Sequence, residues 1–341
     1  MIDDIRNHSL AETKEIFKEW DVPLYHGPQV FSWLYKKGVC DFREMTNLPQ
    51  GLRARLKQEF SLGELTLDKM LESFDGTKKF LFRLSDGNFI ESVLIPAKGR
   101  NTACLSTQAG CKYSCAFCAS GLSGFRRNLE TWEITQQILE INRRIEKGYV
   151  GHVVFMGTGE PLDNYDNVLK AIRIINSKEG LNIGARKITI STAGVIPGIE
   201  KLAKEKLQIE LSVSLHGADD KTRFALMPIN KKYPLKELIE TCRKYALATK
   251  RQVTFEYVLI KDVNSSIDAA DNLIRLLKGW ESKVNLIIYN TIKEFSYLPP
   301  DKPEVFSFAN RIKKSGIPIT IRASRGQDIQ GACGQLRMGK N

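Results

Sequence analysis

Residues 103–121 read ACLSTQAGCKYSCAFCASG: a short apolar run that suits a strand, then a polar loop holding Cys111, Cys115 and Cys118 within eight residues. Thiolates are soft ligands that suit iron–sulfur clusters, zinc and copper(I). Three of them in one short loop can hold three corners of a four-iron cluster and leave the fourth iron open to an outside ligand. A cluster that only carries electrons normally has four protein cysteines. The alternative is a structural zinc site, which usually pairs C-x2–4-C with a second matching pair downstream. No second pair follows here, since Cys242 and Cys333 are isolated.

The strand that opens this stretch is the first of a series. Runs rich in β-branched residues recur at HVVFM (152–156), KITIST (187–192), IELSVSL (209–215), VTFEYVLI (253–260), VNLIIY (284–289) and ITIRA (319–323). Between most of them lie stretches of helical periodicity, such as TWEITQQILEINRRIEK (131–147) and SIDAADNLIRLLKGW (266–280). Strand–helix alternation predicts right-handed βα units around a parallel sheet. Six units are too few to close an eight-fold barrel, so the expected fold class is α/β, an open, partial (βα)6 barrel spanning 101–341. In parallel barrels the chemistry gathers at the C-terminal ends of the strands. There lie the cysteine loop, GTGEPLDN (157–164), STAG (191–194), SLHGA (214–218) and YNT (289–291).

Two segments precede the barrel. Residues 1–62 read as a small helical domain. Ser9 and Glu12 form a capping-box signal for a helix reaching Trp20, and Pro28 and Pro49 sit where helices begin. Residues 63–100 read as a β extension, a hairpin of KKFLFRLS and NFIESVLIP around the turn signal Asp86-Gly87.

The 341 residues are 42% hydrophobic and 26% charged, which excludes a disordered chain. No apolar run approaches the ~20 residues of a membrane span. The N-terminus has an acidic start and no apolar core, unlike a secretion signal. The expected compartment is the cytoplasm, where disulfides are rare and seven cysteines point to metal or catalytic chemistry. The net charge of +12 is uneven. Residues 1–35 carry three basic against six acidic side chains, and residues 305–341 carry seven basic against Asp328 alone. Such clustering suggests a polyanionic partner, nucleic acid being the common one; a lysine-rich solubility surface is the alternative.

Taken singly, the remaining candidates are unremarked residues. Gly159-Glu160 can approach a ligand and accept from an ammonium group, but also suits an ordinary loop. Cys104 reads as a small buried hydrophobe, His216 as a structural histidine and Glu91 as an acid on a hairpin strand. Their setting changes that. The C-x3-C-x2-C spacing, with Phe117 before the third cysteine, resembles the radical S-adenosylmethionine (SAM) superfamily, and Gly159-Glu160 resembles its Gly-Gly-Glu motif for the methionine amino group. Residues 91–341 closely resemble the RlmN/Cfr family of RNA adenine methyltransferases. The resemblance rests on ESVLIP (91–96), the C-x6-C-x3-C-x2-C run from Cys104 to Cys118, MPINKKYP (227–234) and RGQDIQGACGQL (325–336). The helical N-terminus resembles the family's RNA-contacting module.

The resemblance implies one 4Fe-4S cluster on Cys111, Cys115 and Cys118, with two SAM molecules used per turnover. One SAM would be held by Gly159, Glu160, Ser191, Ser214, Leu215, His216 and Asn290. Cys333 would accept a methyl group and become S-methylcysteine. A 5′-deoxyadenosyl radical would take hydrogen from that methyl, and the carbon would add to the adenine ring. Cys104 would then attack the Cys333 sulfur, freeing the base and leaving a transient disulfide. Glu91 matches the family's proton acceptor, with Cys104 a rival. Radical addition answers a real difficulty, because carbon 2 of adenine is electrophilic and cannot attack a sulfonium methyl; covalent catalysis also divides one hard step into easier ones. The implied partners are 23S rRNA, tRNA (at the adenosine 3′ of the anticodon) and an electron donor such as flavodoxin or ferredoxin, with the enzyme a monomer. Gly159-Glu160-Pro161 and Arg325-Gly326-Gln327-Asp328 look like the carbon-2 branch. Cfr-type methylation of carbon 8, which confers antibiotic resistance, is the alternative, and a non-enzymatic zinc-containing RNA-binding protein is the alternative from a different class.

Overall fold

The computed structural model describes residues 2–337; Lys340, counted above with the basic tail, lies outside them. In the N-terminal segment Ser9 caps α1 (Leu10–Glu19), its hydroxyl accepting from the Glu12 N–H while the Glu12 carboxylate accepts from the Ser9 N–H. Helix α2 (His26–Phe31) starts two residues before Pro28 and runs on into a wider-wound turn, Ser32–Lys37, closed by Gly38 in the left-handed region. Helix α3 (Gln50–Glu59) begins directly after Pro49. These elements bury Phe17, Phe31, Leu34, Met45 and Leu56 in one cluster with Leu139 and Ile174 from the barrel's outer helices. The seam is polar as well as apolar: buried Arg6 pairs with Asp4 at 2.6 Å and donates to Gln136 Oε1 at 2.7 Å.

The β extension holds three strands, β1 (Thr66–Glu72), β2 (Lys78–Arg83) and β3 (Phe89–Ala97), paired antiparallel in that order. The expected hairpin is β2–β3. Strand β1 carries no alternating apolar signal, since only Leu67 and Leu71 are even partly covered; its ladder to β2 makes it a strand. Strand β4 (Arg100–Cys104) joins this extension to the barrel, antiparallel to β3 on one side and starting the parallel sheet on the other. A separate two-stranded hairpin, β5 (Gln108–Gly110) and β6 (Phe125–Asn128), brackets the cysteine loop.

The rest alternates: α4 (Thr131–Asn142), β7 (Val150–Phe155), α5 (Tyr165–Asn176), β8 (Ile188–Thr192), α6 (Ile196–Leu202), β9 (Glu210–Ser214), α7 (Asp220–Leu226), α8 (Leu235–Thr249), β10 (Val253–Leu259), α9 (Ile267–Leu277), β11 (Ser282–Ile288), α10 (Lys302–Lys314) and β12 (Ile319–Arg322). The sheet order is β1-β2-β3-β4-β7-β8-β9-β10-β11-β12, parallel from β4 onward. Six parallel strands are thus each followed by helix, as the alternation predicts, and β12 adds a seventh.

Side chains alternate across a strand, so each strand has an inner and an outer row. The outer row is apolar: Val153, Ile188, Ile190, Leu211, Val213, Phe255 and Leu286 are fully buried against the helices, each worth ~1.5–3 kcal/mol of burial. The inner row is polar for much of its length, with His152 on β7, Thr189 and Ser191 on β8, Ser212 and Ser214 on β9, Thr254 and Glu256 on β10, and Lys283 and Asn285 on β11. A barrel that filled its own interior would carry branched aliphatics there. This one keeps space and hydrogen-bonding groups.

Gly110 fixes the entry to the cysteine loop. It has φ +80°, and a Cβ there would lie 1.8 Å from the carbonyl oxygen of Gly124, which leads into the facing strand. Backbone cannot yield that far without parting β5 from β6. Gly110→Ala is therefore expected to cost ~2 kcal/mol or more and to lower iron content after anaerobic reconstitution, read by thermal unfolding and iron analysis; an unchanged melting temperature with full iron loading would contradict it.

Candidate active site

The cysteine loop crosses the C-terminal mouth of the barrel. Cys111 N–H donates to the Gly124 carbonyl at 3.2 Å, Ala116 N–H to Leu226 at 3.0 Å, and Cys118 N–H to Cys115 at 3.1 Å. These bonds turn all three sulfurs toward one cavity. Burial pushes the Cys111 thiol up to about 12, and raises Cys115 and Cys118 as well. Bare thiols there hold their protons at neutral pH, and a bound cationic iron would offset that penalty by binding thiolate. Three soft donors facing a shared cavity fit a cluster that takes each at a separate corner. Among the described residues no three His, Cys, Asp or Glu side chains stand close enough together to hold a metal ion.

The same cavity is lined by Gly159, Glu160, Ser191, Ser214, His216 and Asn290. Gly159 has φ +105°, and a Cβ there would come within 2.5 Å of Gln108, so only glycine lets the next residue turn inward. Glu160 accepts from the Leu162 N–H at 3.0 Å and the Ala193 N–H at 2.6 Å, and its own N–H donates to Gln108 at 2.8 Å. Burial raises its carboxyl to about 7 despite those donors. His216 also has a positive φ, +54°. Its Nδ1 accepts from the Val258 N–H at 3.0 Å, which leaves the ring proton on Nε2, and burial together with nearby Arg223 lowers its pKa to about 3. It is a neutral ring, set edge-on to Phe117 at 4.6 Å. Leu215 stands apart from the other expected contacts. Its side chain is fully buried in the main core and does not line the cavity, because strand alternation turns it outward between Ser214 and His216.

The tail returns across the mouth and meets the loop. Ala119 N–H donates to the Gly334 carbonyl at 2.7 Å, Ser120 Oγ to Leu336 at 2.7 Å, and Asn290 Nδ2 to Cys333 at 3.1 Å. Thr291 offers its carbonyl to Gln335 at 3.1 Å. Cys333 consequently lines the cofactor cavity on one side and, on the other, a second chamber deeper in the barrel that is also lined by Cys104. Both are free thiols, and burial, helped by Cys333 nearby, pushes Cys104 up to about 12. Glu91 is elsewhere. It lines neither chamber; its carboxylate pairs with Lys79 at 3.1 Å and accepts from the Arg337 N–H at 2.7 Å, pinning the tail to β3.

Sequence reasoning missed several groups. Arg223 is fully buried and donates to Asn230 Oδ1 and to the Ala193 carbonyl, each at 2.8 Å, which ties MPINKKYP to the cofactor cavity. Glu256 and Arg322 face each other inside the barrel near the two cysteines. No motif marked them; the polar inner row of a strand such as VTFEYVLI was the available signal. The basic tail also needs correction as a single surface, because Arg311 pairs with Asp271, Arg337 pairs with Glu294, and Arg322 lies inside the barrel.

An open parallel barrel with three cluster-competent cysteines at its mouth, facing a glycine–glutamate turn, defines a radical SAM enzyme. The Radical SAM superfamily model matches residues 105–277, and the ribosomal RNA large subunit methyltransferase N-terminal domain matches residues 4–62. The chain is 45% identical over 338 residues to a probable dual-specificity RNA methyltransferase RlmN of Dictyoglomus turgidum, covering 98% of this chain and 97% of that one. It is 46% identical over 337 residues to a protein of the same description from Clostridium acetobutylicum, with the same coverage. A solved radical SAM methyltransferase from Sphaerobacter thermophilus superposes with a TM-score of 0.93 at 42% identity, covering 98% of this chain and 99% of that one. This chain belongs to the RlmN family of radical SAM methyltransferases.

The raised carboxyl of Glu160 has a measurable consequence. Its ordinary value is 4.5 and its folded value about 7. Between those values the folded chain keeps a proton that the unfolded chain has released, so stability falls as pH rises through the window. Glu160→Gln removes that titration. The melting temperature of the cofactor-free variant, relative to the parent, should shift in the variant's favour from pH 4.5 to 7.5; a pH-independent difference would show that Glu160 is not held protonated.

Proposed function

We propose that this RlmN-family enzyme methylates carbon 2 of an adenosine in 23S rRNA, at the peptidyl transferase centre, and of the adenosine 3′ of the anticodon in tRNA. The carrying observation is the place of Cys333, which lines both the cofactor cavity and the chamber of Cys104. A thiol so placed can take a methyl group from one side and deliver it to the other. When bound, one 4Fe-4S cluster on Cys111, Cys115 and Cys118, with two SAM molecules per turnover, supplies the methyl group and an adenosyl radical. Glu160 would accept from the SAM amino group, and Ser191, Ser214 and Asn290 would offer hydroxyl and amide groups to the rest. His216 acts as a neutral donor through Nε2.

The chain's own chemistry is then carried by sulfur. The Cys333 sulfur would lose its proton and form a bond to the SAM methyl carbon as the carbon–sulfonium bond breaks and S-adenosylhomocysteine leaves, and would hold that carbon at the chamber's wall. Once that carbon has bonded to the ring, Cys104 would give up its thiol proton and attack the Cys333 sulfur: a sulfur–sulfur bond forms, the carbon–sulfur bond breaks, and its electron pair leaves with the base, whose exocyclic carbon takes up a proton to complete the methyl group. Radical addition is what makes an electrophilic ring carbon accessible, and splitting the transfer into formation and release of a covalent intermediate divides one hard step into easier ones. Glu91 is the family-matched acceptor of the ring proton; in this chain it must first release the Arg337 N–H, whereas Cys104 already faces the chamber. The reductant is a small electron-transfer protein such as flavodoxin or ferredoxin, and the working form is a cytoplasmic monomer. No helix among the described residues is long and apolar enough to cross a membrane.

Mass spectrometry of 23S rRNA and tRNA from a strain lacking the gene tests the assignment. Loss of 2-methyladenosine from both is expected. Loss of a carbon-8 methyl would assign the Cfr-type reaction instead, and unchanged RNA would overturn the proposal.

A further inference from the structure

The cysteine loop has an outer face that the chemistry inside the cavity does not use. Lys112 and Ser114, next to the first two cysteines, are exposed. With Tyr113 they line a shallow open depression, completed by Ile229, Lys231 and Lys232 from MPINKKYP. Tyr113 lines both this depression and the cofactor cavity. At that residue a single side chain stands between the surface and the space that all three sulfurs face.

The lysines are set on a firm base. Lys231 ends a short 3-10 turn, Pro228–Lys231. Its neighbour Asn230 is buried, accepts from Arg223 at 2.8 Å and donates to Asp220 at 2.8 Å. Asp220 also accepts from the Leu235 N–H at 2.9 Å, so its carboxylate is engaged beneath the turn. The Ala116 N–H donates to the Leu226 carbonyl at 3.0 Å, joining the cysteine loop to the residue just before the motif. Lys112 pairs with Asp163 at 2.9 Å. Lys231 and Lys232 are exposed, and among the described residues neither is paired with a carboxylate. Two adjacent ammonium groups without a counter-ion favour an anionic partner.

Position selects that partner. Neither Cys104 nor Cys333, between which the base must be handled, lines the depression. RNA held here would be held away from the transferring sulfur. A protein that delivers electrons has the opposite need: closeness to the cluster and no access to Cys333. Low-potential carriers such as flavodoxins and ferredoxins are acidic proteins. Electron-transfer encounters are also the small, weak kind, for which a shallow patch of complementary charge around an apolar centre is enough. Here Tyr113 and Ile229 supply that centre.

We propose that the acidic face of a flavodoxin or ferredoxin docks on Lys112, Lys231 and Lys232, and that its electron enters through the loop at Tyr113. The step moves one electron: the carrier is oxidised by one, the cluster is reduced by one, and no bond is made or broken. The proposal rests on the radical SAM reading and on the class of reductant named above.

The test uses the full-length enzyme with its reconstituted cluster, kept anaerobic, and three reductants. Two are proteins, pre-reduced flavodoxin and pre-reduced ferredoxin. The third is photoreduced deazariboflavin, which is small and uncharged and needs no docking surface. Cluster reduction is followed by visible absorbance. In Lys231→Glu/Lys232→Glu the second-order rate with the preferred protein should fall on the order of tenfold or more at low salt. The gap to the parent should close as salt is added. Lys231→Arg/Lys232→Arg should keep the parent's rate. Reduction by deazariboflavin, and KM for transcribed tRNA with that reductant, should stay within about twofold of the parent. Lys313→Glu/Lys314→Glu makes the same change of charge on α10 and should leave the protein-driven rate alone. Should the double glutamate variant not fold, Lys231→Gln/Lys232→Gln is read in the same way. A variant that both proteins reduce as fast as the parent overturns the docking site, and a rise in KM for RNA in that variant would give the patch to RNA instead. A loss shared equally by deazariboflavin overturns it too, because the damage then lies in the loop. A parent that neither protein reduces overturns both the class of reductant and the site. A parent that is reduced normally but methylates neither tRNA nor a 23S rRNA fragment overturns the RNA reading alone, since docking is read from cluster reduction without RNA.

Discussion

One main-chain hydrogen bond joins the cysteine loop to the tail: Ala119 N–H, just past the last cysteine of the loop, donates to the Gly334 carbonyl, just past Cys333. The loop and the tail are more than two hundred residues apart in sequence, and each is irregular backbone with little apolar surface of its own. Held to each other, and then to Asn290, Thr291 and Glu91 by side-chain bonds, they close the barrel's mouth at a fixed spacing. Buried main-chain groups must find partners, and here the partners lie in the other functional segment. The position of the Cys333 sulfur relative to the cysteine loop follows from that requirement.

The barrel that carries them turns the usual arrangement inside out. Its aliphatic rows face the helices, where burial supplies stability. Its inner rows hold serine, threonine, asparagine, histidine, lysine and glutamate. Those groups weaken the fold wherever they are desolvated without full pairing. Glu160, Glu256, Cys104 and Cys111 are all pushed toward their protonated forms by burial. Such clustering of perturbed groups in a concave site is what function, rather than stability, selects. The N-terminal helices build a core of their own, shared with Leu139 and Ile174, while the β extension packs into the main core.

Much of this is legible in the amino-acid order because the decisive signals are local. Three cysteines in eight residues, strand runs alternating with helical periodicity, and capping residues such as Ser9 each act over a few positions. What escaped needed distance. Strand β1 is exposed on nearly every residue, so nothing but its pairing with β2 makes it a strand. The β5–β6 hairpin spans the cysteine loop and has too few residues for a periodic pattern. Leu215 sits inside a run expected to touch the cofactor, yet alternation points it into the core. Glu91 is a candidate base through the family resemblance alone; its contacts with Lys79 and the tail, 12 and 246 residues away along the chain, leave no local signal. Arg223, Glu256 and Arg322 become visible only when the strands are laid side by side.

The central claim is that Cys333 carries the methyl group between two chambers and Cys104 releases it. Denaturing gels of Cys104→Ala and Cys333→Ala after expression, with nuclease digestion and peptide mass spectrometry, test it directly. Cys104→Ala should accumulate a covalent protein–RNA adduct through Cys333, because formation is intact and release is not. Cys333→Ala should hold its cluster, carry no S-methylcysteine and never link to RNA. A folded Cys104→Ala enzyme that is free of RNA and still turns over would contradict the two-cysteine account.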